Sequence, residues 1–188
     1  KHYFNAGITT DHECFGYTEA LEKLKHGVKV LIREGSAAKN FETLISLLKE
    51  YPEQIMFCCD DKHPDNLIES HINDHVKRAL KLGHDLYDVL RAASYNVVKH
   101  YDLPVGLLQL GDNADFIEID NLKDFNILKT YINGNVVAEK GKSFIKSVDS
   151  PIVNNFNCSL KQASDFKLKN ESDRIRVIEC LDGQLITD

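Results

Sequence analysis

Three short polar clusters hold the residues able to do chemistry: Asp11-His12-Glu13, Arg33-Glu34-Gly35-Ser36 and Asp60-Asp61-Lys62-His63-Pro64. A neutral imidazole at His12, with carboxylates converging on it, is a donor set that suits a divalent transition metal. A surface histidine in a polar turn is the alternative. Asp60 is the first polar residue after an apolar run, where a carboxylate can take a proton from a metal-activated water and pass it to a leaving group. Two adjacent carboxylates need a cation, a proton or a hydrogen-bond donor to offset them, although a strand-to-helix turn with Asp60 or Asp61 on backbone amides accounts for the same residues. Glu34 can ligate, orient water or hold Arg33, and Gly35 permits close approach of a ligand to the backbone. An Arg33–Glu34 pair that only stabilises the rim is the competing reading. Asp61 can accept a hydrogen bond from substrate, and His63, ahead of the rigid Pro64, can shuttle protons or simply start a helix. His71 and His75 are four apart, but Asn73-Asp74 replaces the glutamate of a His-Glu-x-x-His zinc motif, so that pairing is a weak metal signal.

These clusters need elements that bring them to one rim. The spacing predicts a helix from Thr18 to about His26 closed by Gly27, then a strand over Val28–Ile32. A helix capped by Asn40 and running through Glu50 is stopped by Pro52, and the apolar run Gln54–Cys59 reads as a buried strand. Helical spacing follows from Asp65 to Gly83, with a break possible at His71, and a last helix runs over Asp85–Ala93. This alternation is the signature of parallel sheet with crossover helices, in which strand ends share one rim. After Tyr101 the pattern changes to strands over Asp115–Ile119 and Ile127–Ile132, a hairpin through Asn133-Gly134-Asn135 into Val136–Ala138, and an alternating strand over Ile175–Cys180. The expected division is therefore an α/β part, residues 1–102, and a β-rich part, residues 103–188. Residues 140–169 carry little signal, and there is no internal repeat, heptad run or Gly-rich phosphate loop.

Composition narrows the partners. The 188 residues are 43% hydrophobic and 28% charged, with a formal net charge of -6 and no basic stripe, which argues against nucleic acid. The five cysteines lack Cys-x-x-Cys spacing and read as free thiols of a reducing compartment, so the cytoplasm is the expected location. No signal-peptide pattern or bilayer-length apolar run is present, so no membrane partner is expected. The chain begins Lys1-His2 and ends Ile186-Thr187-Asp188 in an apparent strand, and the expectation is a piece of a longer polypeptide.

The stretches Gly7-Ile8-Thr9-Thr10-Asp11-His12-Glu13-Cys14, Ile32-Arg33-Glu34-Gly35-Ser36-Ala37-Ala38-Lys39-Asn40 and Cys59-Asp60-Asp61-Lys62-His63-Pro64, with His71-Ile72 beyond, resemble the bacterial adenine deaminase family of the amidohydrolase superfamily. Asp112-Asn113-Ala114-Asp115-Phe116 resembles the re-entry of that family's chain into its small β domain, and Arg174-Ile175-Arg176-Val177-Ile178 resembles the family after that re-entry. The resemblance implies an α/β fold: strands six to eight of a (β/α)8 TIM barrel, followed by part of a small β-rich domain. It implies metal binding by His12 and Asp60, proton handling by Asp60 with Glu34 as a second catalytic group, and substrate contacts from Asp61, His63, Arg33 and Ser36. The cofactor it implies is a divalent transition metal, Mn2+ first and Fe2+ or Zn2+ next, and the reaction is hydrolysis of adenine to hypoxanthine and ammonia.

The departures from the family pattern are specific. The superfamily's His-x-His pair is absent from the 188 residues, Ser70 stands directly before His71 where a glycine is usual, Asn96-Val97 replaces Asn-Pro, and Leu110 replaces a proline before Gly111. Three of eight barrel units cannot close a barrel or complete its metal site, so the chain alone is expected to be inactive. Exposed strand edges and apolar helix faces lead to an expectation of self-association as a homo-oligomer. Two rivals remain: another amidohydrolase acting on a cyclic amide, of the dihydroorotase or imidazolone type, and a non-catalytic α/β interaction module.

Overall fold

A computed structural model describes residues 2–169, 173–182 and 184–187. Its first part is a single helical turn, α1 (His2–Asn5), and then a strand–helix alternation: β1 (Thr10–Asp11), α2 (Tyr17–Lys25), β2 (Lys29–Arg33), α3 (Phe41–Leu44) and β3 (Ile55–Cys58). The three strands form a parallel sheet in the order β1-β2-β3. Branched Val30 and Ile32 of β2, with Ile55 and Phe57 of β3, bury one sheet face against Ala20, Leu24, Phe41, Leu44 and Leu48. Each strand alternates, so Leu31, Arg33, Met56 and Cys58 lie on the other face, and the parallel register sets Arg33 beside Cys58.

Local chemistry explains where the elements stop. Glu19 in the first turn of α2 and Lys23 and Lys25 in its last complement the helix dipole. Gly27, at φ 81°, then lets its own N–H reach the Leu24 carbonyl and that of Val28 reach Lys23. This is a Schellman exit, for which glycine carries no Cβ penalty. The helix expected through Glu50 tightens after Leu44 into a 3₁₀ turn over Ile45–Lys49. Asn40 does not cap it with its side chain: the Asn40 amide accepts the Arg33 N–H at 2.7 Å and donates to the Cys14 carbonyl at 3.0 Å, tying the end of β2 to the loop after β1.

Beyond β3 the chain forms α4 (Pro64–Glu69) and α5 (Ile72–Lys81), separated at Ser70, whose φ of -161° and ψ of 153° are extended. Pro64 at the first helical position starts α4. The last helical segment is longer than its apolar spacing indicated: α6 (Leu86–Leu90) passes through one π turn (Arg91–Tyr95) into α7 (Asn96–Tyr101) and ends at Asp102 in a left-handed conformation. Buried Asn96 anchors it by donating to the Pro52 and Ile55 carbonyls at 2.7 and 2.8 Å.

The second part is an antiparallel meander of β4 (Phe116–Ile119), β5 (Ile127–Ile132), β6 (Asn135–Glu139) and β7 (Lys142–Ser143). Asn133 and Gly134, both at positive φ, make the two-residue turn between β5 and β6 that hairpin twist favours. The meander is not detached from the α/β core, because Phe125 and Ile119 pack into it. The strand expected over Ile175–Cys180 does not form: its residues are exposed, and Cys180 makes only an isolated bridge to Thr187. Alternating polarity prepares a strand, but a strand also needs an edge to pair with. No helix among the described residues is long and apolar enough to cross a membrane.

Candidate metal and proton-transfer site

Strand alternation sorts the polar clusters onto two sides of the sheet. Asp11, in register with Val30, faces the helices, and its carboxylate accepts from Lys23 at 2.8 Å and from the Glu13 N–H at 2.8 Å. Burial pushes the Asp11 carboxyl up, but these donors bring it below its ordinary value. His12 and Glu13 continue from β1 onto the rim. There His12 Nε2 lies 3.4 Å from Glu13 Oε1 and 4.0 Å from Asp60 Oδ1.

Asp60 reaches this point through a strained turn. Its φ of 42° is left-handed, which aspartate tolerates better than most residues but still at a cost. The side chain is held there by Arg33, whose Nη1 lies 2.8 Å from Asp60 Oδ2 and 2.7 Å from Glu13 Oε1, while Nη2 lies 3.2 Å from Asp61 Oδ1. Arg33 is 2% exposed, so a buried guanidinium offsets three converging carboxylates. Its Nε is buried without a hydrogen-bond partner among the described residues, so the interaction is concentrated on the two terminal nitrogens. Gly35 leaves room beside it for the Asp61 carboxylate, which a Cβ at that position would push aside.

His12, Glu13 and Asp60 form a cluster whose ligand atoms all lie within 4.8 Å of one another. One imidazole and two carboxylates suit a divalent ion of borderline softness. Asp60 Oδ1 is turned toward His12 while Oδ2 is held by Arg33, which also holds Glu13 Oε1 at 2.7 Å, so the donor types fit a metal that would share both carboxylates with the guanidinium. Glu13 was visible in the sequence only as a neighbour of His12. Its membership follows from the rim geometry.

The remaining expected site residues lie elsewhere. Glu34 follows Arg33 and therefore points to the helix side, where Oε2 accepts from Arg78 at 2.6 Å and Oε1 from the Phe41 N–H at 3.2 Å. The structure does not bring it to the His12 cluster. Ser36 Oγ donates to Asn66 Oδ1 at 2.6 Å and accepts the His63 N–H at 2.8 Å, joining the loop after β2 to the start of α4. His71 precedes α5, whereas His75 is fully buried between Phe41 and Phe57, so the two do not make a metal pair. Burial pushes the Cys14 and Cys58 thiols up to about 12, which makes them poor nucleophiles and poor ligands.

Parallel strands that deliver a histidine and carboxylates to one rim define an α/β unit with a candidate metal-binding edge. The chain belongs to the amidohydrolase family, which it matches over residues 2–137. It is 52% identical over 186 residues to an adenine deaminase of Sulfurovum sp. (strain NBC37-1), covering 99% of this chain and 35% of that protein. It is also 52% identical over 185 residues to one of Salinibacter ruber, covering 98% of this chain and 34% of that protein. The chain thus spans about a third of the length of these relatives. In fold it is similar to the β-aspartyl dipeptidase of Fervidobacterium islandicum AW-1, with a TM-score of 0.54 at 20% identity over 71% of this chain and 39% of that one.

Proposed function

We propose that residues 1–102 form the last three units of a (β/α)8 barrel, that residues 103–188 belong to a small β-rich domain, and that the chain contributes one wall of an active site that hydrolyses adenine to hypoxanthine and ammonia. The observation that carries this reading is the His12–Glu13–Asp60 cluster in a chain about half identical to adenine deaminases. A bound divalent ion, Mn2+ in the first instance and Fe2+ or Zn2+ otherwise, supplies the Lewis acidity that makes a water nucleophilic near neutral pH. His12, Glu13 and Asp60 would hold it, and three donors are fewer than the four to six such ions take, so further ligands come from outside the 188 residues.

Arg33 holds Asp60 Oδ2, which leaves Oδ1 to accept a proton from the attacking water. Returned to the exocyclic nitrogen, that proton lets the C6–N bond break with ammonia as the leaving group, while the oxygen stays on C6 as a carbonyl and the water's second proton ends on N1. Asp61 and His63 face the purine in this reading, Ser36 supports them by joining the loop after β2 to the start of α4, and Arg33 orients the carboxylates around the substrate. Glu34 acts from behind the rim: its N–H donates to the Cys58 carbonyl at 3.1 Å, and its pair with Arg78 fixes the end of β2.

The test is a purine, hydantoin and dihydropyrimidine panel applied to a metal-replete polypeptide of the relatives' full length that contains these 188 residues. Hypoxanthine release from adenine alone, abolished by Asp60→Asn, is expected, and the isolated chain is expected to release none. Preference for a cyclic amide substrate would overturn the deaminase reading.

A further inference from the structure

We propose that His75, outside the metal cluster, is a positioning residue that clamps the end of β3 and so sets the turn that carries Asp60 and Asp61. The inference deepens the metal reading of the rim and rests on it for its consequence, but its own basis is separate. His75 is completely buried, in edge contact with Phe41 at 5.9 Å and tilted against Phe57 at 5.4 Å, so packing fixes the plane of its ring. Nε2 lies 3.1 Å from the Cys58 carbonyl, whereas Nδ1 lies 3.4 Å from the carbonyl of His71, one turn earlier on its own helix. The shorter contact assigns the N–H to Nε2.

The Cys58 carbonyl is the last ladder acceptor of β3 and already takes the Glu34 N–H at 3.1 Å. With the imidazole as its second donor, both lone pairs are used, and that oxygen is fixed from β2 on one side and α5 on the other. Two residues later the chain turns left-handed at Asp60, and the Lys62 N–H closes the turn on the Cys59 carbonyl at 3.1 Å. A peptide plane held this firmly at residue 58 leaves the following two residues few ways to direct the Asp60 carboxylate other than toward Arg33 and His12.

The charged groups around the ring are Asp74 and Arg78 of its own helix and Glu34 at the end of β2, and the flanking faces of α3 and β3 are aromatic. Burial holds the ring below the ordinary histidine range against the opposing pull of the His71 carbonyl, Glu34 and Asp74. A neutral ring has a single N–H to place, and Cys58 receives it.

The test compares the 188-residue chain with His75→Phe, which keeps the packing and deletes the donor, and His75→Gln, whose amide nitrogen can replace Nε2. Long-range 1H–15N spectra of the unaltered chain at pH 7 are expected to show a neutral ring protonated on Nε2. An Nδ1-protonated ring or an imidazolium would overturn the assignment. Amide exchange at Asp61 and Lys62 is expected to accelerate at least tenfold in His75→Phe and to recover in His75→Gln, and unchanged exchange in both would sink the clamp. Titration of a polypeptide of the relatives' full length that contains these residues with Mn2+ and Zn2+ should show affinity falling about 10–100-fold in His75→Phe, the size of other supporting-residue losses, with recovery in His75→Gln. If that unaltered polypeptide binds neither ion, the metal reading fails. The ring spectra decide the assignment on unaltered protein even if His75→Phe does not fold.

Discussion

Replacing Arg33 with methionine removes the single cation on which three carboxylates converge while keeping most of the buried stem volume. Its guanidinium contacts Glu13, Asp60 and Asp61 at 2.7, 2.8 and 3.2 Å, with an arginine side chain that is 3% exposed against carboxylates that are 52%, 35% and 39% exposed. A charge-assisted hydrogen bond is worth about 1.5–3 kcal/mol when dry, and an exposed ion pair about 0.2–1 kcal/mol. Contacts with one buried and one half-exposed partner fall between these, at about 1 kcal/mol each, so Arg33→Met should cost about 3 kcal/mol. Urea unfolding followed by circular dichroism measures this, and adding Glu13→Gln closes a double-mutant cycle. A coupling of about 1 kcal/mol between residues 33 and 13 is expected. The loss should shrink as salt is raised, because the exposed carboxylates left behind repel less when screened. A loss below about 0.5 kcal/mol for Arg33→Met, or strict additivity with Glu13→Gln, would refute the view that the guanidinium organises the rim.

Other consequences can be measured on the same polypeptide. Because the Asp11 carboxyl sits below its ordinary value when folded, the stability it contributes is fully present above the unfolded value near 4 and is lost as pH falls through the lower folded value. Melting temperatures between pH 5 and 2 should therefore fall less steeply in Asp11→Asn. Iodoacetamide labelling at pH 8 with mass-spectrometric readout should modify exposed Cys158 and Cys180 first, with Cys14 and Cys58 last, since burial pushes the latter two up to about 12. Asn96→Ala strands the Pro52 and Ile55 carbonyls and should lower unfolding stability by about 2–3 kcal/mol. Ile152, Leu160 and Leu168 are each at least 94% exposed, so sedimentation of the isolated chain should show self-association that weakens as protein is diluted.

The elements around the rim were legible because their signals are local. Branched runs at Val28–Ile32 and Gln54–Cys59, the closing Gly27 and the Asn133-Gly134 turn act over a few residues, and the strands and turns formed within a residue or two of expectation. The strand expected at Ile175–Cys180 failed because pairing depends on a partner edge that local alternation does not supply. Asn40 misled for a related reason: it has a capping side chain, but that side chain found two backbone partners from distant segments, 7 and 26 residues away.

For the candidate site, residue types and spacing singled out His12, Arg33, Glu34 and Asp60 but left a turn or a rim pair as the alternative, and the structure sets Glu34 apart from the cluster. Strand alternation also contained the information that Arg33 and Glu34 face opposite sides, with Glu34 directed to the helices and Arg78. What only the tertiary structure decided was which carboxylates share one cation. Glu13, Asp60 and Asp61 lie 20, 27 and 28 residues from Arg33, and they meet at its guanidinium because parallel strands of matched register end on the same edge. Periodicity along the chain can say which face a side chain takes, but not how far across the sheet its charge must reach.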